Sequence, residues 1–207
     1  MKVLIIIPAY NEELNIEKAV KKIIEYNKKS NHEIDYIIIN DGSTDNTLEI
    51  CKENKFNVIN LINNLGIGGA VQTGYKYACY NDYDVAIQFD GDGQHDEIYI
   101  DKLVEEIEKG NDFVIGSRFV SELSKFKSTG IRRIGIKILS FFISICTKKK
   151  IYDPTSGFRA ANKKVIKIFA NNYPLEYPEP VIKKQNGWEK MDKARDSSQR
   201  DWQRGHS

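Results

Sequence analysis

Cysteine is scarce in this chain of 207 residues: Cys51, Cys79 and Cys146 are odd in number and irregularly spaced. Such a set supplies neither a disulfide framework nor a zinc knuckle, and it points to a reducing compartment. Long apolar runs are missing as well. Near the amino terminus, Val3-Leu4-Ile5-Ile6-Ile7 stops at Pro8, whereas a secretory h-region is longer and needs a small-residue cleavage site. A spanning helix needs ~20 apolar residues. The expectation is therefore no signal peptide, no transmembrane helix and a cytoplasmic location. An excess of one charge is also absent, since 31 Lys and Arg stand against 29 Asp and Glu for a net +2. That balance excludes a dominant nucleic-acid footprint.

What remains is a soluble, globular composition, 41% hydrophobic and 29% charged. The length suits one ordinary domain with a substantial core and perhaps a short appendage. Strand and helix signals alternate along it. Val3–Ile7 reads as a buried parallel strand, and Glu13–Tyr26 carries helical spacing. Tyr36–Ile39 is a second strand ending at Asn40-Asp41-Gly42-Ser43, after which Ser43 or Thr44 can cap a helix through Cys51 and Asn54. Asn57–Ile62 is a third strand, and Gly66, Gly68 and Gly69 lead into a helix from about Ala70 to Tyr80. Asp84–Phe89, then a helix over Tyr99–Lys109, then Phe113–Ile115 complete the pattern. The alternation predicts an α/β fold: a Rossmann-like, mostly parallel open sheet with helices on both faces.

In such sheets the ligand sits beyond the carboxyl ends of the strands. Four strands here end in polar or small residues: Pro8-Ala9-Tyr10-Asn11-Glu12, Asp41-Gly42-Ser43, Asp90-Gly91-Asp92 and Gly116-Ser117-Arg118. One Asp after a strand is usually a turn former. Four polar ends on one rim make a site. Asp90 and Asp92 are close enough to repel unless a cation or proton lies between them, and hard divalent ions commonly bridge a carboxylate to a diphosphate. Gln94 offers a carbonyl oxygen; His95 offers either a ligand or a loop-structuring group. A calcium loop is excluded, because its sixth-position Gly and twelfth-position Glu do not follow. The glycines fit neither the dinucleotide fingerprint nor a phosphate loop, and they suit tight turning and close approach of a ligand.

The ordered set Pro8-Ala9-Tyr10-Asn11-Glu12, Asp41-Gly42-Ser43-Thr44-Asp45, Asn64-Leu65-Gly66-Ile67-Gly68-Gly69-Ala70 and Asp90-Gly91-Asp92-Gly93-Gln94-His95 continues with three more motifs. These are Gly116-Ser117-Arg118, Asp153-Pro154-Thr155-Ser156-Gly157-Phe158-Arg159 and Tyr177-Pro178-Glu179. Together they resemble the inverting glycosyltransferases of family 2, of GT-A fold, and within them the dolichol-phosphate mannose synthase and polyprenyl-phosphate glycosyltransferase branch. The resemblance covers a catalytic domain over residues 1–180.

It implies a metal-dependent hexosyltransferase that moves a sugar from a UDP- or GDP-linked donor to a polyprenyl or dolichyl phosphate in cell-envelope or glycan synthesis. It further implies that Pro8, Tyr10, Glu12, Ile39 and Asp41 hold the nucleoside, with Asp90, Gly91 and Arg118 beside the donor phosphates. Mg²⁺ or Mn²⁺ would sit on Asp90 and Asp92, with Gln94 as a further metal or sugar contact. Asp92, Arg118 and Asp153 match the residues closest to the chemistry. Asp153 lies near the acceptor as a base, or as a group placing a metal or sugar hydroxyl; a lipid phosphate is already ionised and needs no base.

Between these motifs, Arg132-Arg133 and Lys148-Lys149-Lys150 flank an apolar stretch too short to span a bilayer. It reads either as an interfacial helix on anionic lipid or as a core helix with solvated ends. Under the first reading Arg132 and Arg133 bind the acceptor phosphate, and the protein is peripheral at the cytoplasmic membrane face. Residues 181–207 form an atypical polar tail, with almost no apolar periodicity from Glu189 onward, expected as a truncated, frame-shifted or disordered end. Two alternatives stand beside the lipid reading: transfer to a polysaccharide or soluble acceptor, or a nucleotide-sugar-binding protein left inactive by its carboxyl end.

Overall fold

A computed structural model describes residues 1–89, 99–116 and 157–173. Its strands are β1 (Lys2–Ala9), β2 (Glu33–Asn40), β3 (Val58–Asn60), β4 (Val85–Gln88), β5 (Phe113–Ile115) and β6 (Arg159–Asn162). Its helices are α1 (Ile16–Asn27), α2 (Thr47–Glu53), α3 (Gly66–Tyr80), α4 (Ile100–Glu108) and α5 (Lys163–Asn171). The strands form one sheet in the order β3-β2-β1-β4-β6-β5. β1 runs parallel to β2 and β4, and β2 to β3. β6 alone is antiparallel, inserted between β4 and β5.

The apolar run at the amino terminus makes the central strand because both of its faces are covered. Val3, Ile5 and Ile7 pack with Ile16, Val20 and Ile23 of α1, Cys51 of α2 and Leu103, Val104 and Ile107 of α4. Leu4 and Ile6 face Val71, Tyr75 and Ala78 of α3 and Val165, Ile166 and Phe169 of α5. Each fully buried isoleucine contributes roughly 1.5–3 kcal/mol. Between α3 and the sheet, Gly74 permits a close approach: a Cβ there would lie 2.3 Å from Ile6 Cγ2. Tyr75, Phe169 and Tyr173 close the α3–α5 seam, with ring centroids 4.9 Å (Tyr75–Phe169) and 5.0 Å (Phe169–Tyr173) apart.

The mostly parallel, doubly covered sheet is as expected; several boundaries are not. α1 begins at Ile16 rather than Glu13, because the Glu12 carbonyl accepts from the Asn15 and Ile16 N–H groups and sets the first turn there. α3 begins at Gly66, so the three glycines lie inside its first turn instead of leading up to it. Neither Ser43 nor Thr44 caps α2: the helix starts at Thr47 after Asn46, and Ser43 spends its hydroxyl on Asn40. β6 was not anticipated, since Ala160 and Ala161 have low strand propensity; complete burial, one on each face, decides their state.

At the amino ends of the strands the sheet is tied shut. The Lys2 backbone N–H donates to Asp84 Oδ2 (2.9 Å), and the Lys2 ammonium lies 4.3 Å above the Tyr83 ring. The Tyr83 hydroxyl donates to Asp35 Oδ2 at 2.8 Å. Burial, and then the carboxylate of Asp35, holds that phenol well above the ordinary tyrosine range.

Candidate functional site

The carboxyl ends of β1, β2 and β4 point the same way because these strands are parallel, and β6 begins at that rim because it is antiparallel. Just past β1, Asn11 adopts a left-handed backbone, φ 55°. Lys55 and Asp82 share that conformation, but each directly follows a helix, where it is routine. At Asn11 it is imposed by neighbours: the Asn11 N–H donates to Ser43 Oγ (3.0 Å) and its Oδ1 accepts from the Thr44 N–H (2.8 Å). Beside this contact the Glu12 N–H donates to Thr47 Oγ1 (2.8 Å), and Glu13 Oε2 accepts from the Asn46 N–H (3.0 Å). The β1–α1 and β2–α2 loops are thus laced to each other.

Asp41, 3% exposed, follows β2 directly. Its N–H donates to the Ala9 carbonyl (2.8 Å), and its Oδ1 accepts from the Leu65 N–H (2.8 Å) just before α3. Through its backbone N–H and its carboxylate, this one residue ties the ends of β1 and β2 to the segment before α3. Gly42 must be glycine for two reasons: its φ is +67°, and a Cβ would meet Asn64 N at 2.9 Å. Asp45 accepts from the Thr47 N–H and hydroxyl and from the Glu13 N–H. Partial burial pushes its carboxyl up, but these bonds outweigh it and leave it below the usual carboxylate range.

Of the residues expected to meet the nucleoside, Pro8, Tyr10, Glu12, Ile39 and Asp41 all fall on or under this half of the rim. Tyr10 stands 48% exposed. Glu12 is half-buried, and its Oε2 accepts from Asn15 Nδ2 (2.9 Å). Pro8 and Ile39 are buried, paired with each other across β1 and β2, so they form the floor. The remaining expected residues, Asp90, Gly91, Asp92, Gln94, Arg118, Arg132, Arg133 and Asp153, lie outside the described residues. So do His95, the 132–150 stretch and the 181–207 tail. Among the described residues no three His, Cys, Asp or Glu side chains group together to hold a metal ion.

The other half of the rim shows two polar side chains that the sequence reading left without a role. Gln88 ends β4 and Arg159 begins β6; they are register partners, 2% and 4% exposed. By alternation with Ala86 and Ala161 both lie on the α3–α5 face. Gln88 Oε1 is buried and has no hydrogen-bond donor among the described residues. A polar residue closing an apolar strand was the signal for Gln88, and a strand call at 159–162 would have exposed Arg159. Nearby, Gly116 N–H donates to the Phe158 carbonyl (2.8 Å), and Phe158 stacks edge-on with Phe89 at 5.8 Å. Cys51 is not placed to be a nucleophile: it is fully buried, and burial, then Glu49, raises its thiol to about 11.

This architecture recurs in known proteins. The glucosyl-3-phosphoglycerate synthase of Mycobacterium tuberculosis, solved with Mn²⁺, UDP and glucosyl-3-phosphoglycerate, superposes with a TM-score of 0.60 at 19% identity, over 79% of this chain and 57% of that one. Likeness at that identity establishes the GT-A fold. In sequence, the chain is 35% identical to the UDP-N-acetylglucosamine–dolichyl-phosphate N-acetylglucosaminyltransferase of Methanococcus voltae, over 80% of this chain and 71% of the relative. It is 36% identical to the dolichol-phosphate mannosyltransferase of Pyrococcus furiosus, over 80% of this chain but 47% of that protein, so it spans about half of that relative's length. The family model described as glycosyl transferase family 2 matches residues 4–169, a stretch that holds the laced strand ends, Asp41 and both halves of the rim. The chain belongs to glycosyl transferase family 2.

Proposed function

We propose that this protein transfers a hexose from a UDP- or GDP-linked donor to a polyprenyl or dolichyl phosphate, with inversion at the anomeric carbon. The observation that carries this reading is the pair of archaeal relatives at 35% and 36% identity, both named for dolichyl phosphate acceptors. The rim geometry supports the donor side of it. Tyr10 offers an exposed aromatic face for a nucleobase, and Asp41 stands where three loops converge. The catalytic unit in this reading spans residues 1–180.

An oxygen of the acceptor phosphate forms the new bond to the anomeric carbon as the bond to the nucleoside diphosphate breaks, and the electron pair leaves with the diphosphate. No base is required, because the acceptor is already ionised. Arg118 is assigned to the leaving phosphates, where a guanidinium is a permanent bidentate partner. Asp90 and Asp92, with Gln94, would hold Mg²⁺ or Mn²⁺, which supplies positive charge to the departing diphosphate. Asp153 is assigned to the acceptor side, and Arg132 and Arg133 to the lipid phosphate. Among the described residues no helix is long and apolar enough to cross a membrane; the reading places the protein peripherally, at the cytoplasmic membrane face.

The decisive experiment incubates the full chain with labelled UDP- and GDP-sugars, Mn²⁺ or Mg²⁺, and liposomes with or without polyprenyl phosphate. Label should enter the lipid with one donor class only and should be abolished by EDTA. Label confined to a water-soluble acceptor would overturn the lipid assignment, and lipid labelling that persists under EDTA would overturn the metal.

A further inference from the structure

The ends of β3, β2 and β1 are joined by side chains as well as by backbone. Asn40, the last residue of β2, is 1% exposed. Its Nδ2 donates to Asn60 Oδ1 at the end of β3 (2.6 Å), and its Oδ1 accepts from the Ser43 hydroxyl (2.5 Å). Ser43 Oγ in turn accepts from the Asn11 N–H beyond β1 (3.0 Å), and Asn11 Oδ1 accepts from the Thr44 N–H (2.8 Å). A continuous relay thus runs Asn60–Asn40–Ser43–Asn11–Thr44 across three strand ends, and Asp41 is covalently attached to its buried hub.

Sheet stability does not call for this relay. The β1–β2 ladder already runs to Ala9↔Asn40 and the β2–β3 ladder to Asn40↔Asn60. Desolvating an amide costs free energy that only well-made bonds recover, and an apolar side chain would fill the position at less cost. What a fully bonded buried amide adds is one fixed geometry. Here it fixes the left-handed turn at Asn11 and the Gly42–Thr44 turn, the two loops that flank Asp41.

We propose that Asn40 is a positioning residue that sets the affinity for the nucleoside diphosphate by holding the Asn11 and Ser43 turns around Asp41. The proposal rests on the reading that Asp41 meets the nucleoside. Its consequence is specific: breaking the relay weakens nucleotide binding by the folded protein, while the fraction that folds is a separate quantity.

Calorimetric titration of the full chain with UDP and with GDP, each with Mn²⁺, tests it. Asn40→Ala and Ser43→Ala should weaken the dissociation constant by about tenfold at unchanged stoichiometry. Ser43→Thr keeps the hydroxyl and should restore binding to within about twofold of the parent. Ser43 is only half-buried, so its variants remain informative even if Asn40→Ala fails to fold. An unchanged dissociation constant with a lowered melting temperature or binding-competent fraction would reduce Asn40 to a structural role and leave the transferase reading intact. Failure of the parent protein to bind either nucleotide would overturn both.

Discussion

The two halves of the rim are built on different principles. In the β3–β2–β1 half, strand-end groups bond one another: Asn60, Asn40, Ser43, Asn11 and Thr44 form one chain, Asp45 and Thr47 bond each other and the Glu12 and Glu13 N–H groups, and Asp41 is anchored at N–H and carboxylate. In the β4–β6–β5 half, a buried guanidinium sits in register with a buried amide whose Oε1 has no donor among the described residues. The first half is organised without help from a ligand. The second adjoins the stretches of sequence that hold Asp90, Arg118 and Asp153, the charged residues proposed for the diphosphate and the cation. On that proposal the nucleoside is met by preorganised turns, and transfer is carried by the charged residues of the other half.

The sharpest way to break that division is Asp92→Asn. Transfer should fall by about a thousandfold, since a carboxylate proposed to hold the cation at the leaving diphosphate is lost. Binding of uridine or guanosine monophosphate, which depends on the other half, should persist within a few-fold of the parent by titration. Equal loss of both would show that the halves are not separable.

Within the rigid half, Gly42→Ala should be the costliest single methyl. It forces a side chain onto φ +67° and drives Cβ to 2.9 Å from a backbone nitrogen of Asn64. A loss of about 1–3 kcal/mol is expected in denaturant unfolding, with nucleotide affinity falling alongside because the Asn64–Leu65 segment also carries the donor to Asp41. A neutral result would mean that the turn relaxes freely, against the preorganisation argued above.

Much of the donor half was legible in the sequence, and the reason is local. Val3–Ile7 and Tyr36–Ile39 are apolar throughout, so their burial in a parallel sheet needed no tertiary information. Asp41-Gly42-Ser43 announced a turn. The relay was not legible, because Asn40 beside Asp41 reads as one more turn former until the strand register sets it opposite Asn60. β6 was hidden for the same reason: Arg159-Ala160-Ala161-Asn162 carries no strand propensity, and only its burial between β4 and β5 makes it one. The helix starts differ where loop bonds intervene: the Ser43 hydroxyl is spent on Asn40, and the Glu12 carbonyl sets the first turn of α1.

Asp45 offers a smaller, pH-resolved test of the rigid half. Its carboxyl is held below the usual range by the Thr47 and Glu13 donors. A depressed native value means that the unfolded state binds the proton more tightly, so the stabilisation is complete above the unfolded value of about 4 and is lost as pH falls through the native one. The stability difference between the parent and Asp45→Asn should therefore be constant at neutral pH and should shrink below about pH 4. A difference that grew on acidification would reverse the assignment.

The smallest expected effect is the most telling about the other half. Gln88 and Asn40 are both buried amides at parallel strand ends, but Asn40 is bonded through both of its polar atoms, whereas Gln88 Oε1 has no donor among the described residues. An acceptor with no partner has no bond to lose, so if Oε1 is unpaired, replacing Gln88 with an apolar side chain of similar length removes a desolvation cost along with the amide. Gln88→Met should thus leave the melting temperature within about 2 °C of the parent or raise it. The matched change at Asn40 should lower it, because Asn60 and Ser43 each lose a partner. If Gln88→Met instead costs more than about 1 kcal/mol, Oε1 is bonded in the native protein, most simply through a buried water, and the β4–β6 half is as fully satisfied as its neighbour. The contrast would then rest on charge alone, on the buried guanidinium of Arg159, rather than on how completely each half is hydrogen-bonded.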